Sequence, residues 1–131
     1  MKITATVRNC AQAHEVHVAT NGVSQPLPVP AKGTGQGSAV NGGEFLMLAL
    51  ATCYCNDVYR EAERLQIPVD AVYVEASADF PGRGLAATNI RYFARITSSA
   101  PDDVIADLLR QTDAVAEVQS TIRNGAAVRL E

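Results

Sequence analysis

Asn41-Gly42-Gly43-Glu44-Phe45-Leu46-Met47-Leu48-Ala49-Leu50-Ala51-Thr52-Cys53 is the stretch whose reading decides the fold. Asn41 can cap the free N–H groups of a helix, and Glu44, three residues on, makes something close to a capping box. From Phe45 to Ala51 every residue is apolar, so this half of the helix has no face suited to water and must be enclosed by protein. From Asn56 the apolar stripe narrows to Val58, Tyr59, Ala62 and Leu65, with Asp57, Arg60, Glu61, Glu63 and Arg64 mostly elsewhere. Ile67-Pro68 ends the helix. The expectation is a first half buried all round and a second half half wet.

The flanks read as strands. Upstream, Lys2 to Arg8 and Glu15 to Thr20 alternate, and Asn21-Gly22 is a hairpin signal because both residues tolerate positive φ. Gln25 to Pro30 can be only an edge strand or an extended segment, since its prolines cannot donate to a ladder. Lys32 to Ser38 is a glycine-rich loop whose lysine precedes the glycines, the wrong order for a P-loop. Downstream, Val72, Val74, Ala76, Ala78 and Phe80 share one face of a strand, Pro81 to Gly84 turns, and Ile90, Tyr92, Ala94 and Ile96 return. Ser99 or Pro101 opens a helix with Asp102 and Asp103 at its positive end. A break near Thr112-Asp113 leads to a further helix stopping at Asn124-Gly125, and Ala127 to Leu130 suit a last strand.

This order gives a single α+β domain over residues 1–131, an antiparallel sheet with a long buried central helix. One chain of this length is hard pressed to surround such a helix, so two chains are expected to wrap each other as a homodimer.

Composition narrows the function. A net charge of -3 offers no attraction for nucleic acid or an anionic membrane, and neither is expected as a partner. The longest nearly apolar run is too short to span a bilayer. The opening Met1 to Thr6 alternates like a strand and lacks a signal peptide's apolar core. Three cysteines, at positions 10, 53 and 55, are not the even set of a disulfide-stapled secreted domain. A reducing, cytoplasmic setting with free thiols follows as the expectation.

Cys53 stands where the helix passes from apolar to amphipathic, with Thr52, Tyr54 and Asn56 bringing polar groups nearby. A buried cysteine is more often an inert small hydrophobe, but a reactive thiolate needs such a polar border. Cys55 is about 200° further around an ideal helix, so the two thiols diverge and one is a bystander. Cys10, at the end of the first strand, reads as incidental. His14, His17, Cys53 and Cys55 are zinc-type ligands in kind, but strand and helix periodicity turns each pair apart, and no metal or cofactor is expected. No Gly-x-Ser-x-Gly elbow supports a hydrolase.

At this point the block Gly43 to Cys53 resembles the signature of the OsmC/Ohr family of thiol-dependent hydroperoxide reductases, in which a Glu opens an apolar helix that runs into the peroxidatic Cys. Ile67 to Glu75 is similar to that family's helix-to-strand junction, and Ser120 to Gly125 to its C-terminal helix. The resemblance implies an OsmC-like fold, an intertwined homodimer with active sites at the subunit interface, and an oxidative-stress role as a peroxidase acting on organic hydroperoxides or hydrogen peroxide. It assigns Cys53 as the nucleophile and Glu44 as the residue that orients an activating Arg. Nine residues separate the two, about 180° around one helix, so they act together only if the Glu of one subunit meets the Cys of the other. Glu44 is equally readable as a helix cap.

Two departures stand beside the matches. The family's second, resolving Cys corresponds to Ala116, and no cysteine follows Cys55. The activating Arg has only Arg8 as a candidate. The expected cycle is therefore a one-cysteine cycle completed by an external thiol reductant. The alternative is a non-catalytic OsmC-like protein holding a small apolar ligand at the dimer interface; an inert interaction module would leave Cys53 buried and unreactive.

Overall fold

A computed structural model describes all residues, 1–131. The element order is β1 (Ile3–Cys10), β2 (Ala13–Thr20), β3 (Val23–Pro26), α1 (Gly42–Leu65), β4 (Ala71–Asp79), β5 (Thr88–Thr97), α2 (Asp102–Val115) and α3 (Glu117–Asn124). The strands form two antiparallel sheets, β1-β2-β3 and β4-β5. The chain divides into two compact units, Met1–Phe45 and Leu46–Glu131.

In the first unit, β1 pairs with β2 along their whole length, Ile3 opposite Thr20 through to Cys10 opposite Ala13. Asn21 (φ 50°) and Gly22 (φ 84°) both take the left-handed conformation that a tight hairpin demands, bringing Val23 opposite Thr20. β3 is an edge strand, and of the proline-bearing segment Gln25 to Pro30 only Gln25 and Pro26 belong to it. Asn41 then caps α1 reciprocally: its amide N–H donates to Glu44 Oε2 at 2.8 Å, and the Glu44 N–H donates to Asn41 Oδ1 at 2.9 Å.

The second unit carries the core: Tyr54, Val58 and Ala62 of α1, Leu108 of α2 and Ala116, with Val72, Val74, Tyr92, Ala94 and Ile96 of the hairpin packed against them. The β4–β5 register sets Val72 opposite Ile96, Val74 opposite Ala94 and Ala76 opposite Tyr92, so the inward faces read from alternation meet as expected. The Tyr54 hydroxyl donates to the Leu109 carbonyl at 2.6 Å, and its ring meets Tyr92 edge-on at 4.9 Å, tying α1 to α2 and β5. Gln66 in the left-handed region (φ 56°) closes α1, with Ile67 N–H donating to Ala62 at 2.9 Å.

Several expectations change. Within one chain the enclosed half of α1 is the second, where Tyr54, Asp57, Val58, Glu61 and Ala62 are buried, whereas Leu50 is the one buried residue before Cys53 and Leu48 is 55% exposed. Asp57 and Glu61 were expected on the wet side; ion pairs with Arg60 and Arg64 let their carboxylates sit inside. The break between the last helices falls at Ala116 (φ −71°, ψ 108°), not at Thr112-Asp113. Thr112 continues the helix because its buried hydroxyl donates to the Leu108 carbonyl at 2.8 Å. No strand forms over residues 127–130, where Val128 and Leu130 lie fully exposed.

Candidate functional site

Cys53 projects from the middle of α1, partly exposed. Asp57 lies one turn on and Arg60 almost a second turn on, so the three side chains fall within about 60° of one another on the helix surface. The Cys53 thiol donates to Asp57 Oδ2 at 3.5 Å, and Asp57 Oδ1 forms an ion pair with Arg60 Nη2 at 3.0 Å. From the start of α3, Glu117 brings Oε2 to 3.9 Å from Cys53 Sγ and Oε1 to 3.9 Å from Arg60 Nη1. The bend at Ala116 lets this happen: an extended residue ends α2, and α3 restarts with its first residue, Glu117, and the Val118 amide toward Cys53.

The electrostatics are mixed. Burial pushes the Cys53 thiol above its ordinary value, and the Asp57 and Glu117 carboxylates push the same way, while the Val118 backbone N–H works against them by hydrogen-bonding the sulfur. Asp57 is also raised, chiefly by burial and further by Glu117 and Glu61, with the Cys53 contact and the Arg60 charge opposing. Donor atoms of Cys53, Asp57 and Glu117 lie within 4.8 Å of one another, a spacing a cation could bridge. The Arg60 guanidinium already meets both carboxylates, so their charge is countered by the protein itself.

A family model described as OsmC-like protein matches residues 35–131. The chain belongs to the OsmC-like protein family. The first of the solved structures that resemble this OsmC-like chain is an OsmC-like protein from Mycoplasma pneumoniae (TM-score 0.67, 16% identity, 95% of this chain and 87% of that one). An organic hydroperoxide resistance protein OsmC from Legionella pneumophila follows (TM-score 0.63, 16% identity, 99% and 95% covered). The organic hydroperoxide resistance protein OhrB of Bacillus subtilis aligns over 100% of this chain and 97% of its own (TM-score 0.57, 16% identity). At such identities the likeness is one of fold. No curated protein matches.

Of the residues named from the OsmC-like sequence, Cys53 sits in a polar cluster and Glu44 does not join it within the chain: its carboxylate is held on the Asn41 amide. Cys55 turns away from Cys53, into a shallow groove with Ala51, Thr52, Asn56 and Val74. Cys10 is exposed at the end of β1, and Arg8, on the same strand, stands opposite Glu15. His14 and His17 both lie on β2, where His14 Nδ1 meets Asn9 Nδ2 at 3.0 Å. Ala116 is buried at the bend, 1% exposed. Sequence reading missed Asp57, Arg60 and Glu117. The first two carried a signal, since Cys53, Asp57 and Arg60 fall at i, i+4 and i+7. Glu117 carried none, because it is 64 residues from Cys53 in the chain.

Proposed function

We propose that this OsmC-like chain is a thiol-dependent peroxidase that reduces organic hydroperoxides, or hydrogen peroxide, through Cys53. The observation that carries the reading is the setting of Sγ: partly exposed on the central helix of an OsmC-like fold, in contact with Asp57, whose carboxylate is paired with the Arg60 guanidinium. The sulfur attacks the O–O bond, is oxidised to a sulfenic acid and releases an alcohol. With Ala116 at the resolving position and no later cysteine, an external thiol returns Cys53 to its reduced form.

The working unit in this proposal is a cytoplasmic homodimer. Support comes from the apolar first half of α1, where Leu48 is 55% exposed and Phe45, Leu46 and Met47 are only partly covered within one chain, surface that a second copy would enclose. Glu44 keeps its place in the proposed site as a residue acting on the partner's thiol.

A second reading, a non-catalytic protein holding a small apolar ligand between subunits, is favoured by the burial and the neighbouring carboxylates that push the Cys53 thiol up. Cumene hydroperoxide consumption with a dithiol reductant separates the two. The peroxidase reading expects turnover by the wild type and none by Cys53→Ser; a wild type no faster than that variant leaves the binding reading.

A further inference from the structure

We propose that Asp57 is the proton-transfer residue of this site, taking the thiol proton as Sγ attacks the hydroperoxide and yielding it to the departing alkoxide, while Arg60 holds the carboxylate in position. The inference rests on the peroxidase reading and deepens it.

The geometry comes first. The Asp57 side chain is 5% exposed, on a helix face where an aspartate is costly unless it is paired. Its two oxygens have separate partners: Oδ2 accepts from the Cys53 thiol at 3.5 Å and Oδ1 is ion-paired with Arg60 at 3.0 Å. A pure ion pair would need only the second. The charged groups around the carboxylate are Arg60 and Glu61 of α1 and Glu117 of α3. Only Asp57 is both buried and in contact with the sulfur.

The chemistry needs such a group. A thiol kept protonated by burial and by two carboxylates supplies little free thiolate near neutral pH. A base in contact with it removes the proton in the same step as the attack. The balance is complete: the S–H and O–O bonds break, an S–O bond forms, and the hydroperoxide R–O–OH becomes R–OH while Cys53 becomes a sulfenic acid. Sulfur gives up two electrons, the peroxide oxygens accept them, and the thiol proton ends on the alcohol. Burial raises the Asp57 acid as well, which makes its carboxylate a stronger base than an exposed aspartate.

Two reactions of Cys53 separate this role from simple electrostatics. Alkylation by iodoacetamide needs only thiolate, whereas reduction of cumene hydroperoxide also needs a proton for its leaving group. Each is followed by mass spectrometry of the Cys53 peptide. In Asp57→Asn, alkylation is expected to be as fast as in the wild type or faster, because a carboxylate opposing the thiolate is gone. Sulfenic acid formation is expected to fall about 10²-fold. Asp57→Glu is expected to retain most of the peroxide rate. Equal changes in both reactions, or an unimpaired peroxide rate in Asp57→Asn, overturn the proposal.

The wild type gives a test that needs no folded variant. With proton transfer to Asp57, the peroxide rate stays level as pH falls below the thiol's titration, until Asp57 itself protonates, while alkylation falls with the thiolate. Two rates falling in parallel overturn the proposal alone; a wild type inert to hydroperoxide overturns the peroxidase reading and this inference with it.

Discussion

Removing one oxygen atom, in Tyr54→Phe, tests how the core that carries Cys53 is held. Tyr54 is 4% exposed, its ring is wedged against Tyr92, and its hydroxyl donates to the Leu109 carbonyl at 2.6 Å. Phenylalanine keeps the ring and loses the bond. The Leu109 carbonyl lies inside α2, where helical geometry offers it the Asp113 amide as a second partner, so it is not orphaned. The loss is then one net hydrogen bond, about 1 kcal/mol, or about 4 °C in Tm for a chain of this size at fixed protein concentration.

The sign depends on pH. Burial, helped by the Asp113 charge, pushes the Tyr54 phenol up to about 12. Between its unfolded value near 10 and that figure, the unfolded chain ionises this phenol while the native chain keeps it protonated. Wild-type stability from this group is therefore whole below pH ~10 and falls by up to ~1.4 kcal/mol per pH unit above it. Phenylalanine has nothing to ionise. Urea unfolding followed by far-UV circular dichroism should show the variant less stable at pH 8 and the two curves converging by about pH 11. A variant as stable as the wild type at pH 8, or a gap unchanged up to pH 11, would refute the reasoning.

Leu108→Ala, at a site with no exposure in the centre of the same core, should cost about 2–5 kcal/mol in urea unfolding; a cost under 1 kcal/mol would mean that α2 is not packed as described. Glu117→Gln removes one of the carboxylates that raise the Cys53 thiol, so alkylation of Cys53 at pH 7.5 should quicken. The gain should stay below about tenfold and shrink in high salt, because Glu117 is largely exposed and its charge is screened by water; a slower reaction would contradict the assigned direction.

The sequence made the α+β plan legible because its signals are local. Alternation in β4 and β5, the Asn21-Gly22 turn, the capping box at Asn41 and the apolar run before Cys53 each need only a few neighbouring residues to be read. What stayed hidden depends on distant partners. Thr112 resembles a helix breaker until Leu108 takes its hydroxyl, and Asp57 resembles a solvated charge until Cys53 and Arg60 occupy both its oxygens. The final strand failed for the same reason from the other side: residues 127–130 have strand-like composition but pair with no strand, and composition alone does not supply a ladder partner. At the site, Cys53 was readable from the change in helix character, while the Glu117 contact arises only from the bend at Ala116. Glu44 shows how one pattern serves two ends, since the residue matching the family's Glu is also the third position of a capping box.

The central claim is that Cys53, and not Cys10 or Cys55, is oxidised by hydroperoxide. Treating the reduced protein with one equivalent of cumene hydroperoxide in the presence of dimedone, followed by peptide mass spectrometry, tests it directly. The account predicts a single dimedone adduct on Cys53, absent in Cys53→Ser. An adduct confined to exposed Cys10, or no adduct at all, would contradict it.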